Sequence, residues 1–114
     1  MMKCLVVDKP YCDLIVDGMK MWELRSRTTN IRGRIGIIEK GTGTIIGEVD
    51  LVGVIGPMDD ATILASSNKH HLTYIPDGFK WRYAWVLNNA VRYPTPISYT
   101  HPQGAVIWVN VDCI

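Results

Sequence analysis

The sequence predicts a strand-dominated α+β fold: a small barrel of about six strands with two short helices. Short apolar segments with alternating polarity recur along the chain, bounded by Gly, Pro, Asn or Asp. Only two stretches carry helical spacing, and both are short. The connections include a glycine-bearing hairpin signal, and the longest strand carries internal glycines that read as bulges. These are features of a closed or half-open barrel.

Residues 3–7 form a short strand of small, β-branched and apolar side chains. Pro10 opens a helix over 10–17, because a proline in the first turn gives up no hydrogen bond the helix needs. Tyr11, Leu14, Ile15 and the aliphatic stem of Lys20 share a helical face, and Gly18 stops the helix. Residues 21–25 are a second strand, with Trp22 and Leu24 on one side and Met21, Glu23 and Arg25 on the other. A polar turn at 26–30 leads to a third strand at 34–39. Gly41-Thr42-Gly43-Thr44 is a hairpin turn; it lacks the lysine and the following helix of a phosphate loop. Residues 45–55 form the longest strand, bulged near Gly47 and Gly53 and closed by Gly56-Pro57.

Asp59 caps a helix over about 60–69, with Ala61, Leu64 and Ala65 as its apolar face. Residues 73–79, with Pro76, Asp77 and Gly78, are loop. An aromatic-rich strand covers 82–87. Residues 88–99, with Pro94 and Pro96, read as loop or edge. Residues 105–111 are the last strand, in which Val106, Trp108 and Asn110 alternate with Ile107, Val109 and Val111. No repeat or linker divides the chain, so residues 1–114 read as one domain.

A chain 47% hydrophobic and 20% charged is globular in composition, which excludes the disordered class. A net charge of +1 excludes global attraction to nucleic acid, so such contact needs a local patch. Arg25, Arg27, Arg32 and Arg34 supply one within ten residues. The three cysteines Cys4, Cys12 and Cys113 are odd in number and include no C-x-x-C pair, which argues against a disulfide framework or a zinc site. Free thiols suit a reducing compartment. No apolar run approaches the length of a membrane span, and the N-terminus lacks the apolar core of a signal peptide. The expectation is a cytoplasmic protein with no membrane association, no metal and no cofactor.

The densest chemistry lies in Gly18-Met19-Lys20-Met21-Trp22-Glu23-Leu24-Arg25. An ammonium, a carboxylate and a guanidinium fall within six residues at a helix-to-strand junction. A lysine that is partly desolvated or held near an arginine has a lowered pKa and can act as base or nucleophile. Glu23 opposes that shift, leaving a pre-paired polar site suited to binding. The plain alternative is a surface ion pair worth roughly 0.2–1 kcal/mol.

Trp22 and Trp108 are assigned to the core. Trp81, flanked by Lys80 and Arg82, is the candidate for base stacking, an interaction worth about 1–3 kcal/mol. Tyr83 and Trp85 share its strand face and extend that surface. His70 and His71 end the second helix, where a cation suits the dipole, and are assigned neither metal nor catalysis. Glu48 and Asp50 share a strand face as solvent-exposed carboxylates.

Gly18-x-Lys20-x-x-Glu23-x-Arg25 resembles the G-x-K-x-x-E-x-R signature of ASCH domains. Lys9-Pro10-Tyr11-x-x-Leu14-Ile15 resembles that family's opening. Arg32-Gly33-Arg34-Ile35, Glu48-Val49, Trp85-Val86-Leu87, Pro94, Pro96-Ile97, Gly104 and Trp108-Val109 follow its order. The resemblance covers nearly the whole chain. It implies a PUA-like β-barrel with a cleft beside the first helix, lined by Lys20, Glu23 and Arg25, and a role in RNA metabolism. The leading expectation is a binding module for RNA or a nucleotide, with Glu23 accepting from a base edge and Arg27, Arg32 and Arg34 on phosphates.

The alternative is a hydrolase in which Lys20 and Glu23 are catalytic. Relatives that deacetylate acetylcytidine carry a threonine where this chain has Glu23. For RNA cleavage, Glu23 would be the base, Lys20 or Arg25 the phosphate clamp, and His101 or Tyr99 the acid. A protein-interaction domain is the third possibility.

Overall fold

The computed structural model describes residues 1–112; Cys113 lies outside them. Among the described residues the chain forms six strands and three short helices. They run β1 (Met2–Val7), α1 (Tyr11–Val16), β2 (Trp22–Arg25), β3 (Gly33–Glu39), β4 (Thr44–Ile55), α2 (Asp60–Ala65), α3 (Ser67–His70), β5 (Tyr83–Ser98) and β6 (Trp108–Val111). One sheet holds all six strands in the order β2-β5-β4-β3-β1-β6. The β1–β3 pair is parallel; the other pairs are antiparallel.

The residue pattern explains this order. β1 lies between β3 and β6 and is buried on both faces. Leu5 and Val7 face the main core, while Cys4 and Val6 face a second cluster with Ile38, Ile45, Val109 and Val111. An unbroken apolar run is what such a strand requires. The main core joins Leu5, Ile35, Ile37, Val49, Leu51 and Leu87, and α1 closes over it with Cys12, Ile15 and Val16. The helix settles onto β4 at Gly47. A Cβ there would lie 2.7 Å from Val16 Cγ1 and would collide with the Val91 carbonyl, so only glycine admits this close approach.

The long strands β4 and β5 curl because their register shifts three times. Each bulge bends the strand and increases its twist. These shifts also explain which of the two readings of residues 88–99, loop or edge, holds. Residues 88–98 are edge strand, pairing with β4 alone because β2 pairs only with Tyr83–Val86. The pairing jumps from Ile45–Ile97 to Gly47–Arg92, so β5 carries excess residues in which Pro94 and Pro96 sit. A proline in a bulge removes no ladder hydrogen bond. A second shift, between Glu48–Val91 and Asp50–Asn88, contains Asn89 at φ 54°, a left-handed conformation that asparagine tolerates.

The expected second helix is broken into α2 and α3. Asp59 caps its start as expected, accepting from the Thr62 N–H at 2.8 Å. At the break, the Ser66 hydroxyl donates back to the Thr62 carbonyl at 2.8 Å, a bond that competes with helix continuation. The expected apolar face also differs. Ala61, Leu64 and Ala65 are exposed, and Ile63 is the buried residue, packed with Met58, Leu24 and Ala84. The last strand is shorter than expected, beginning at Trp108.

Candidate functional site

Gly18, at φ +78°, ends α1 in a left-handed conformation. Met19 and Lys20 N–H groups then both donate to the Leu14 carbonyl, at 2.9 and 3.0 Å, which folds the chain back and turns Lys20 inward. Lys20 is only 3% exposed. Its ammonium donates to the Trp22 carbonyl at 2.6 Å and the His70 carbonyl at 2.9 Å, and lies 3.4 Å from Glu23 Oε1. An ammonium has three protons, and three acceptors surround it. Burial holds the Lys20 pKa below its usual value, with the Glu23 carboxylate opposing that shift.

The acceptor from α3 depends on His70, which is fully buried. Its Nε2 lies 2.6 Å from the Ile63 carbonyl, and its Nδ1 accepts from the Leu72 N–H at 3.0 Å. A carbonyl only accepts and an N–H only donates, so Nε2 carries the proton and the ring is neutral. The cation expected at this helix end is therefore absent at His70, and burial pushes its pKa down. His71 turns the other way, with Nε2 2.8 Å from the Met19 carbonyl. Sequence reasoning did not foresee that His70 supports Lys20, because fifty residues separate them.

Glu23 and Arg25 alternate with Leu24 on β2 and so share a face. Arg25 Nε and Nη2 meet Glu23 Oε2 at 2.9 and 2.8 Å, and Nη2 also donates to the Val6 carbonyl at 2.9 Å. The guanidinium lies over the Trp85 ring, 5.6 Å from its centroid. One acceptor site stays open on this pair's carboxylate, on Oε1, whose other contact is the long one to Lys20. Among the described residues Arg25 Nη1 makes no hydrogen bond.

Lys20, Glu23, Arg25 and Trp81 line one cavity of about 350 Å³, whose other walls include Tyr11 and Phe79. Trp81 is 47% exposed and packs against Phe79 with centroids 5.5 Å apart. Trp85 does not extend this aromatic surface. It is buried, stacks on Trp108 at 5.8 Å, and donates its indole N–H to the Arg27 carbonyl at 2.9 Å. Trp81 precedes β5 rather than belonging to it, so strand alternation does not govern its direction. Trp22 and Trp108 are partly buried against separate core clusters.

The remaining arginines lie outside this cavity. Arg34 bridges Glu48 at 3.0 Å and Asp50 at 3.1 Å and donates to the Asn89 carbonyl at 2.6 Å. Glu48 and Asp50 are accordingly half-buried partners, not the free solvent-exposed carboxylates expected. Tyr93 donates to Glu48 and Asn89 to Asp50, and these bonds together with Arg34 hold both carboxyls below their usual range. Arg32 is exposed and donates to the Thr29 and Ile31 carbonyls; Arg27 is exposed. Tyr99 and His101 line a neighbouring cavity instead.

Cys12, Asp13 and Glu39 bring three potential metal ligands within 4.8 Å of one another. The Lys9 ammonium is already placed there, 3.0 Å from Asp13 and 3.4 Å from Glu39. Burial pushes the Cys12 thiol up to about 11, which disfavours the thiolate a metal would need. No described helix is long and apolar enough to cross a membrane.

Solved structures with the same fold include an ASCH protein from Zymomonas mobilis and its tyrosine-to-phenylalanine variant. Both align with a TM-score of 0.71 and 20% identity, covering 96% of this chain and 87% and 90% of theirs. A serine-to-alanine variant of that protein aligns at 0.68 with 19% identity, covering 96% of this chain and 88% of its own. No curated protein matches the sequence. At this identity the structures speak for the PUA-like fold alone. The ASCH domain family model, however, matches residues 5–100, most of the chain, and the protein therefore belongs to the ASCH domain family.

Proposed function

We propose that the protein recognises RNA or a nucleotide by taking one base into the cavity beside α1. The observation that carries this reading is the joint presence there of a carboxylate with an open acceptor site, a guanidinium with a free N–H, and an exposed indole. Glu23 accepts from the amino edge of a base, Arg25 donates through Nη1, and Trp81 stacks on the base face. A volume of about 350 Å³ lies at the small end for ligand sites and suits one nucleotide unit. Lys20, with its protons already engaged, positions Glu23. Arg27 and Arg32, on the turn after Arg25, are available to the phosphates of a longer strand, whereas Arg34 is engaged by carboxylates. The buried free thiols Cys4 and Cys12 favour a reducing location, and we place the protein in the cytoplasm.

The test is titration of mononucleotides and short single-stranded RNA at several salt concentrations, with wild type and Trp81→Ala. The expected loss in Trp81→Ala is about 1–3 kcal/mol of binding, with an unchanged unfolding midpoint. Equal affinity in both proteins, or no salt dependence with RNA, sinks the reading.

A hydrolytic reading draws on one observation, the lowered pKa of buried Lys20 beside a carboxylate. It predicts turnover of acetylcytidine or RNA that is lost in Glu23→Gln while the fold survives. Binding without product leaves recognition as the function.

A further inference from the structure

A second cavity adjoins the first. It also measures about 350 Å³, and Val6, Lys40 and Val106 wall both. We propose that it is a second base subsite, so that the ligand is a single-stranded RNA dinucleotide step rather than a lone nucleotide. The inference rests on the nucleotide reading of the first cavity.

The ridge between the cavities carries the groups such a step needs. Lys40 is the shared cation, and its side chain is 63% exposed. Its ion pair with Asp8 is long, at 3.7 Å, and solvated, so the ammonium is free to meet the phosphate that joins two bases. Val106 is 74% exposed, an apolar side chain standing between two hollows. Apolar side chains in that position separate successive bases as wedges.

The second cavity also has its own means of reading a base edge. Tyr99 and His101 approach with the hydroxyl 2.6 Å from Nδ1, and His101 Nε2 lies 2.7 Å from the Ala105 carbonyl. That carbonyl can only accept, so Nε2 carries the proton, and in that tautomer Nδ1 accepts a hydrogen bond from the Tyr99 hydroxyl. The Tyr99 oxygen is left as an acceptor for a base amino group. Gly41 and Gly43 form part of the wall. A Cβ at Gly41 would meet nothing within 4 Å, and at Gly43 the nearest atom is the Tyr99 carbonyl oxygen at 3.7 Å. A flat ring can therefore lie against that backbone.

Calorimetric titration of the full chain with the common ribonucleoside monophosphates and with ribodinucleotides tests this. The expected result is that the best dinucleotide binds about tenfold tighter than the best mononucleotide, the gain one further contacted base supplies. Tyr99→Phe, which keeps the ring, and His101→Ala should each erase that gain and leave mononucleotide affinity unchanged. Mononucleotide binding with no dinucleotide gain, or a gain that survives both substitutions, overturns this inference alone. A protein that binds no mononucleotide overturns the one-base reading and this inference with it.

Discussion

Lys20, Glu23 and Arg25 form one ion cluster; Arg34, Glu48 and Asp50 form another, across β3 and β4. Both combine basic and acidic side chains on or beside strands. In the first, Lys20 and Glu23 side chains are 3% and 11% exposed, and each acceptor around Lys20 comes from a different place: a strand carbonyl, a distant helix end and a carboxylate. In the second, side-chain exposures lie between 26% and 31%, and the arginine bridges two carboxylates that water also reaches. The difference teaches that composition does not set the value of a charge cluster. Desolvation does, because a buried charge left without its partner has no water to turn to.

The sharpest break comes from Lys20→Met. It leaves two carbonyls without their shared donor and the Glu23 carboxylate with Arg25 alone. At about 1–3 kcal/mol for each unsatisfied carbonyl, about 2 kcal/mol or more of stability should be lost in urea unfolding. A loss below 1 kcal/mol would mean that the two clusters are equivalent.

Acid separates them by pH window. Unfolded His70 binds a proton near its usual 6.5, while the native ring, whose pKa is pushed down, resists. Stability should therefore fall as pH drops below about 6.5, loosening the α3 carbonyl that holds Lys20. Glu48 and Asp50 also have lowered native pKa values, so their contribution is present above the usual 4.5 and 3.8 and is lost as pH falls through the native values. His70→Gln should remove the first loss and spare the second in a pH series of thermal melts. An unchanged first loss would remove His70 from the account.

The smallest effect is expected from Arg34→Met: about 1 kcal/mol or less, given partial exposure, and no change in nucleotide affinity. Weakened nucleotide binding in Arg34→Met would place the second cluster in the ligand site.

Much of the fold was legible locally. The apolar run of β1, the proline-opened α1 and the Asp59 cap each follow from interactions within a few residues. The second half of β5 was legible only as loop or edge, because proline signals the end of a strand unless the partner strand's register leaves it unpaired. Register is a property of two strands, and no single segment displays it.

The candidate site divides in the same way. The sequence by itself determined that Lys20, Glu23 and Arg25 sit together after a helix stop, since their spacing and the glycine are local. Tertiary structure alone decided that Lys20 is engaged by the carbonyl of His70, that Trp85 turns into the core while Trp81 stays at the cavity, and that Arg34 is claimed by Glu48 and Asp50. The physical reason is that burial and hydrogen-bond saturation depend on which distant segments pack against a residue, and that is settled only when the sheet curls.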